Sequence, residues 1–170
     1  MTSASTRETT VNQPSPPAGT GVVPLEQIRS LCGLEFLGAI AAGRLPAPPI
    51  SALLNFRLVE VGHGLAIFEG EPRREFYNPI GSVHGGWAMT LLDSCAACAV
   101  QSTLAAGQGY TSVETKVNFT RPLTVESGVV RAEGRVISIG RRVGTADGRL
   151  LGADGRVYAH GTSTCLIFAL

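Results

Sequence analysis

Between Asn78 and Asp93 the chain reads N-P-I-G-S-V-H-G-G-W-A-M-T-L-L-D, with polar and backbone-permissive residues set against the start of an apolar run. Gly85 and Gly86 carry no side chains, so a ligand can approach the backbone N–H groups of a first helical turn. There, unpaired donors and the positive end of the helix dipole favour developing negative charge. Such a turn is a candidate oxyanion site. Nine residues after His84, Asp93 places a carboxylate two and a half turns into an otherwise apolar helix, where an ionised group is costly unless it is paired or used. It is a candidate general base or nucleophile, and equally a carboxylate that bonds Ser94, Thr90 or a strand backbone and fixes core geometry. His84 reads either as a functional imidazole or as a helix-entry residue satisfied by backbone. Asn78, before a proline, is by default a turn residue.

These residues need a buried helix and a sheet to position them. The run from Trp87 to Leu104 is apolar on every face apart from Thr90, Asp93, Ser94, Gln101, Ser102 and Thr103, so its helix is buried nearly all round. A membrane span of similar length, roughly 30 Å, is disfavoured by the mid-run carboxylate, the lack of flanking basic clusters and the strand patterns on both sides. Upstream, Leu25, Ile28, Leu31, Leu34, Leu37 and Ile40 recur at intervals of three, which predicts two short helices or one kinked at Gly33. Pro46, Pro48 and Pro49 predict an extended connector over residues 45–50. A hairpin is expected over residues 53–68, turning at Gly62-His63-Gly64. Downstream, Val113, Thr115, Val117 and Phe119 alternate with Glu114, Lys116, Asn118 and Thr120 as a strand with one buried face. Three more strands are expected near residues 128–140, 142–151 and 156–168, all antiparallel. Wrapping that sheet around the helix gives an α+β architecture, with exposed edges that a second copy would cover.

Composition narrows the partner. The 170 residues suit one ordinary domain, 44% are apolar, and 14 Lys and Arg nearly cancel 13 Asp and Glu. No single-sign field is available to attract nucleic acid or an anionic membrane, which leaves a small molecule. Residues 1–22 are rich in Thr, Ser, Pro and Gly and read as a disordered tail, residues 23–52 as a helical entry segment with its connector, and 53–170 as the main domain. Cysteines 32, 95, 98 and 165 lack metal-type spacing and follow no signal-like segment, so free thiols in a reducing cytoplasm are expected, without disulfide or metal. The Cys95-x-x-Cys98 pair lies inside the apolar helix and reads as core packing rather than redox chemistry.

Over about residues 34–168 the chain resembles the PaaI-like branch of the hotdog-fold acyl-CoA thioesterases, similar to phenylacetyl-CoA and 4-hydroxybenzoyl-CoA thioesterases. The motifs that carry the resemblance are N-P-I-G-S-V-H-G-G with T-L-L-D, S-V-E-T-K-V-N-F-T-R-P-L, G-R-R and D-G-R-V-Y-A-H-G-T-S-T, in that order. The resemblance implies hydrolysis of an acyl-CoA thioester to carboxylic acid and CoA. Asp93 would attack the carbonyl or activate water, the His84-Gly85-Gly86 turn would polarise the carbonyl, Asn78 would orient the water or thioester, and Ser112 would assist the water. It also implies a homodimer or a tetramer, with residues 78–86 of one copy facing Asp93 of the other. Arg141 and Arg142, with Thr162, Ser163 and Thr164, lie where relatives contact the CoA moiety, and solvated surface arginines are the plainer reading. Coenzyme A enters as part of the substrate and no separate cofactor is implied. The chain departs from some relatives at Ala97, where they carry a hydroxyl, and Trp87 fits either an acyl pocket or the core. The rival readings are a non-catalytic acyl-CoA-binding hotdog module and a hotdog enoyl-thioester hydratase or dehydratase.

Overall fold

The computed structural model describes residues 19–170. The order of elements is α1 (Leu25–Ser30), α2 (Gly33–Ala41), α3 (Pro49–Leu53), β1 (Phe56–Gly62), β2 (Leu65–Gly70), α4 (Gly85–Gln101), β3 (Gln108–Phe119), β4 (Val130–Ile139), β5 (Val143–Leu151) and β6 (Val157–Ala169), with short 3-10 turns at Arg74–Phe76 and Val125–Ser127. All six strands form one antiparallel sheet in the order β1-β2-β4-β5-β6-β3. Helix α4 lies across its concave face and touches every strand. This is the α+β arrangement expected, a sheet curled around one buried helix.

Burial of α4 follows from its composition. Leu91, Leu92, Cys95, Ala96, Ala99 and Val100 are all at most 2% exposed, and each large aliphatic among them stabilises the fold by roughly 1.5–3 kcal/mol. The sheet makes room for the helix with glycine. Gly134 of β4 pairs with Gly148 of β5, which pairs with Gly161 of β6, so a row free of side chains crosses three strands. A methyl group on Gly134 would collide with the Cys95 carbonyl, and one on Gly148 would stand 3.1 Å from both the Cys95 sulfur and a Leu92 methyl. Trp87 belongs to the core: it is 3% exposed, stacks on Phe76 at 6.1 Å, and donates its indole N–H to the Leu54 carbonyl at 2.8 Å.

Several sequence expectations are modified. The entry region is two separate helices, and Gly33 opens α2 instead of merely breaking a helix, because any side chain there would strike the Gln101 carbonyl at the end of α4. The proline-rich connector ends in helix α3: Pro48 caps it and Pro49 takes its first position, where a missing N–H costs nothing and the fixed φ already suits a helix. The first strand therefore starts at Phe56, not Leu53. The simple alternation of β3 fails at a bulge between Ser112 and Glu114. The extra residue takes Val113 out of the inward row, and Val113 and Phe119 are 61% and 53% exposed. Of the tail expected over residues 1–22, the first eighteen residues lie outside those described; residues 19–21 pair with Ala47 in a short parallel bridge. Among the described residues no helix is long and apolar enough to cross a membrane.

The glycine row yields a direct test. A strand glycine changed to alanine is ordinarily neutral or favourable, but Gly134→Ala should push α4 off the sheet and cost about 1–3 kcal/mol. Urea unfolding should show a lowered midpoint; an unchanged midpoint would mean that the helix backbone does not rest on this strand.

Candidate active site

The start of α4 is held by short-range bonds that leave one donor free. The preceding loop is closed by a Tyr77–Val83 bridge, by Val83 N–H to the Leu123 carbonyl at 2.8 Å, and by His84 N–H to the Phe76 carbonyl at 2.7 Å. Asn78 builds the loop itself: its Oδ1 accepts from the Ile80 and Ser82 amides at 3.1 and 3.2 Å, and its Nδ2 donates to Ser82 Oγ at 3.0 Å. One Nδ2 hydrogen remains for another partner. His84 is the N-cap of α4, and its Nδ1 accepts from Gly86 N–H at 2.9 Å. That bond removes Gly86 from the pair of expected oxyanion donors and leaves Gly85 N–H, which has no partner among the described residues. An imidazole that accepts at Nδ1 carries its hydrogen on Nε2, which makes the exposed side of His84 a second donor. The Phe119 ring packs over Gly85, where an added methyl would stand 3.0 Å from it. Both line a cleft of about 360 Å³, together with Ser82, Arg121 and Tyr158.

Asp93 occupies a different part of the same helix, half-buried and facing β3. Thr115 donates to its Oδ1 at 2.7 Å. The Ser163 hydroxyl, 1% exposed, sits 3.2 Å from Thr115 Oγ1 and donates to the Glu114 carbonyl at 3.1 Å. The partner of Asp93 is thus a strand hydroxyl, and neither Ser94, Thr90 nor a strand backbone. With Oδ1 held, Oδ2 is the oxygen left for a ligand. Ser112 lies on the same strand, opposite Cys165 of β6 and before the bulge. Asp93 is eight residues on from Gly85, about 12 Å along the axis, so one chain does not bring its own carboxylate to its own candidate oxyanion donor. Sequence reasoning missed Thr115 as the Asp93 partner: its inward orientation was legible, but the bulge that sets its height against the helix was not.

Cys95 and Cys98 follow Asp93 on α4. Burial pushes the Cys98 thiol up to about 12, opposed by its contact with the Tyr110 hydroxyl 4.0 Å away, and burial raises Cys95 further. Both are protonated thiols at neutral pH, poor nucleophiles and poor metal ligands, and all four cysteines are free.

The five residues grouped as CoA contacts separate. Arg141 and Arg142 form the exposed β4–β5 turn and line a shallow cleft of about 310 Å³ with Gln108 and Phe168. Ile167, not the threonines, lies beside Arg142, since its N–H donates to the Arg142 carbonyl at 2.8 Å. Thr162 and Thr164 are three to five residues further along β6, roughly 10–17 Å away, on the outer face next to Lys116 and Glu114. Ser163 points the opposite way, into the core, so it cannot join them on a phosphate-binding surface.

With this geometry in place, comparison with known proteins assigns the family. A family model described as the thioesterase superfamily matches residues 80–159. A solved protein from the thioesterase superfamily is 30% identical, with a TM-score of 0.65, over 79% of this chain and 97% of that one. A phenylacetic acid degradation-related protein from Ralstonia eutropha is 28% identical, with a TM-score of 0.70, over 77% and 98%. A variant of the phenylacetic acid degradation protein PaaI from Thermus thermophilus is 25% identical, with a TM-score of 0.63, over 69% and 97%. Comparison with curated proteins gives no match. The chain belongs to the thioesterase superfamily, with the hotdog fold and PaaI-like relatives, and membership supports acyl-thioester hydrolysis as its general chemistry.

The Thr115 bond can be tested without substrate. Thr115→Val keeps the shape and deletes the hydroxyl, so Asp93 Oδ1 and the Ser163 hydroxyl each lose a neighbour. A stability loss of about 1–3 kcal/mol is expected in urea unfolding, largely restored in Thr115→Ser. Equal stability of Thr115→Val and wild type would show that the bond does not form in solution.

Proposed function

We propose that the protein hydrolyses an acyl-CoA thioester in a site shared by two copies of the chain. The observation that carries this reading is the division along α4: a donor-rich helix start at Gly85 and His84, and a half-buried carboxylate with one oxygen free, about 12 Å apart in one chain. Two chains set antiparallel would bring the helix start of one to Asp93 of the other. Strand β3 supports such pairing. It lies at the end of the sheet, bonded on one side only among the described residues, and carries the exposed Val113 and Phe119.

In this mechanism the thioester carbonyl oxygen accepts from Gly85 N–H, with His84 Nε2–H and the remaining Asn78 hydrogen as further donors. Charge then develops where donors already point. Asp93 Oδ2 of the other copy acts in one of two ways. As base, it takes a proton from a water that attacks the carbonyl. As nucleophile, it attacks directly, CoA thiolate leaves, and water hydrolyses the resulting anhydride. Ser112, on the strand facing Asp93, would hold that water. The thiolate is a good leaving group, so neither route asks for a strong acid. Arg141 and Arg142 would meet the phosphates of CoA at the β4–β5 turn, a role suited to guanidinium forks. The cytoplasm, where CoA esters are made and used, is the compartment that fits.

Thiol release from acyl-CoA should fall by at least about a hundredfold in Asp93→Asn. Mixing Asp93→Asn with His84→Ala under conditions of subunit exchange should recover up to about a quarter of wild-type turnover, since half the random dimers are mixed and each has one intact site. Near-normal turnover in Asp93→Asn would remove its catalytic role, and no recovery on mixing would place both groups in one chain's site. Loss of 2-enoyl-thioester absorbance without thiol release would instead mark a hydratase.

A further inference from the structure

The N-terminal segment encloses a cavity that the reaction chemistry does not use. Residues 19–21 are tied to Ala47 by two backbone bonds, Gly21 N–H to the Ala47 carbonyl at 2.9 Å and Ala47 N–H to the Gly19 carbonyl at 3.0 Å. Together with α2 they roof a space of about 290 Å³ whose floor is Leu58, Phe68, Cys98 and Tyr110 and whose far wall includes Phe36 and Ile40. No charged side chain lines it among the described residues. Among its polar lining groups, which include Ser51 and Gln101, the Cys98 thiol and the Tyr110 hydroxyl face each other at 4.0 Å, and burial holds both neutral. This lining accepts hydrocarbon and disfavours a charge.

The cavity lies further along α4 than Asp93, lined by Cys98 and Gln101 of that helix. On α4, Ala97, Cys98 and Gln101 follow Asp93 at angles of about 40°, 140° and 80°, all within one half of the helix, and Cys98 and Gln101 stand about 7.5 and 12 Å further along the axis. On β3 the inward row Tyr110, Ser112 and Thr115 runs beside that stripe, from the cavity floor to the hydroxyl that holds Asp93. An acyl group running from a carbonyl at Asp93 toward the C-terminal end of α4 would come under the N-terminal roof.

We propose that this cavity is the acyl site, and that it selects uncharged, straight hydrocarbon chains of medium length over acetyl and over short aromatic groups. The inference rests on the thioesterase reading above. An extended chain advances roughly 1.3 Å per bond, from C–C bonds near 1.5 Å, so a span of 7.5–12 Å corresponds to about six to nine carbons. A phenylacetyl group reaches only the floor and leaves Phe36 and Ile40 without contact.

The test is thiol release from acetyl-, butyryl-, hexanoyl-, octanoyl-, decanoyl- and phenylacetyl-CoA, with wild type, Ile40→Phe, which fills the far wall, and Phe36→Ala, which empties it. Thermal melts establish that each variant is folded. The expected result is a wild-type kcat/KM that peaks at hexanoyl or octanoyl, at least tenfold above acetyl. Ile40→Phe should shift the peak to shorter chains, and Phe36→Ala should shift it to longer ones. A flat profile, a phenylacetyl optimum, or a profile that neither folded variant changes would overturn the cavity assignment and leave the hydrolase reading standing. No thiol release from any ester would overturn the hydrolase reading instead. Binding of alkyl thioether analogues of CoA then decides the cavity separately: tightening with chain length up to octyl supports it, and affinity independent of chain length overturns it.

Discussion

Contact between the backbone of α4 and the concave face of the sheet is the constraint on which the other features depend. The helix rests at Cys95 against Gly134 and Gly148, where no side chain separates the two backbones. Had those strand positions carried even a methyl group, the helix would stand off, and the small alanine and cysteine side chains on its buried face would no longer reach the sheet. The approach also fixes the height of Asp93 relative to β3. A hydrogen bond of 2.7 Å to Thr115 tolerates little drift in that height. The core and the carboxylate are therefore parts of one packing arrangement.

The rise of an α-helix explains why the proposed site would be divided between two copies. Gly85 at the helix start and Asp93 eight residues on cannot converge within one chain, because about 12 Å of helix lies between them. The arrangement has an advantage: each half is supported by its own rigid surroundings. The helix start is pinned by a closed loop and an N-cap, and the carboxylate by a strand hydroxyl backed by a buried serine. In the proposed pairing neither half would have to move for the two to meet, so pre-organisation would be achieved within each fold and only docking would remain.

The entry segment adds a third layer that the helix and sheet do not require. Gly33 lets α2 approach the end of α4, its amide donates to the Leu104 carbonyl at 2.9 Å, and the prolines on either side of Ala47 keep the connector extended until α3 begins. The result is a roof over apolar space instead of a filled core. Its own small cluster of Val23, Ala39 and Leu45 is separate from the main one, which allows the roof to differ in shape without disturbing the hotdog core beneath it.

Local pattern by itself determined the types of the longer elements, the long buried helix, the hairpin at residues 62–64, the antiparallel strands and the stretch that holds His84, Gly85 and Asp93, because periodicity, turn glycines and an isolated carboxylate in an apolar run are properties of neighbouring residues. What pattern could not contain was any relation between residues distant in the chain. The alternation of β3 is regular in sequence, yet a bulge at Val113 shifts the register and decides that Thr115 meets Asp93. Thr162, Ser163 and Thr164 are adjacent in sequence and point to opposite faces of β6, so one binds in the core and two face outward. Gly86 and Gly85 are alike on paper, and only the His84 side chain folding back onto one of them makes the other the free donor. Each of these was settled by tertiary structure for the same physical reason: side-chain direction and hydrogen-bond competition depend on what lies across a gap, and sequence neighbours do not determine that.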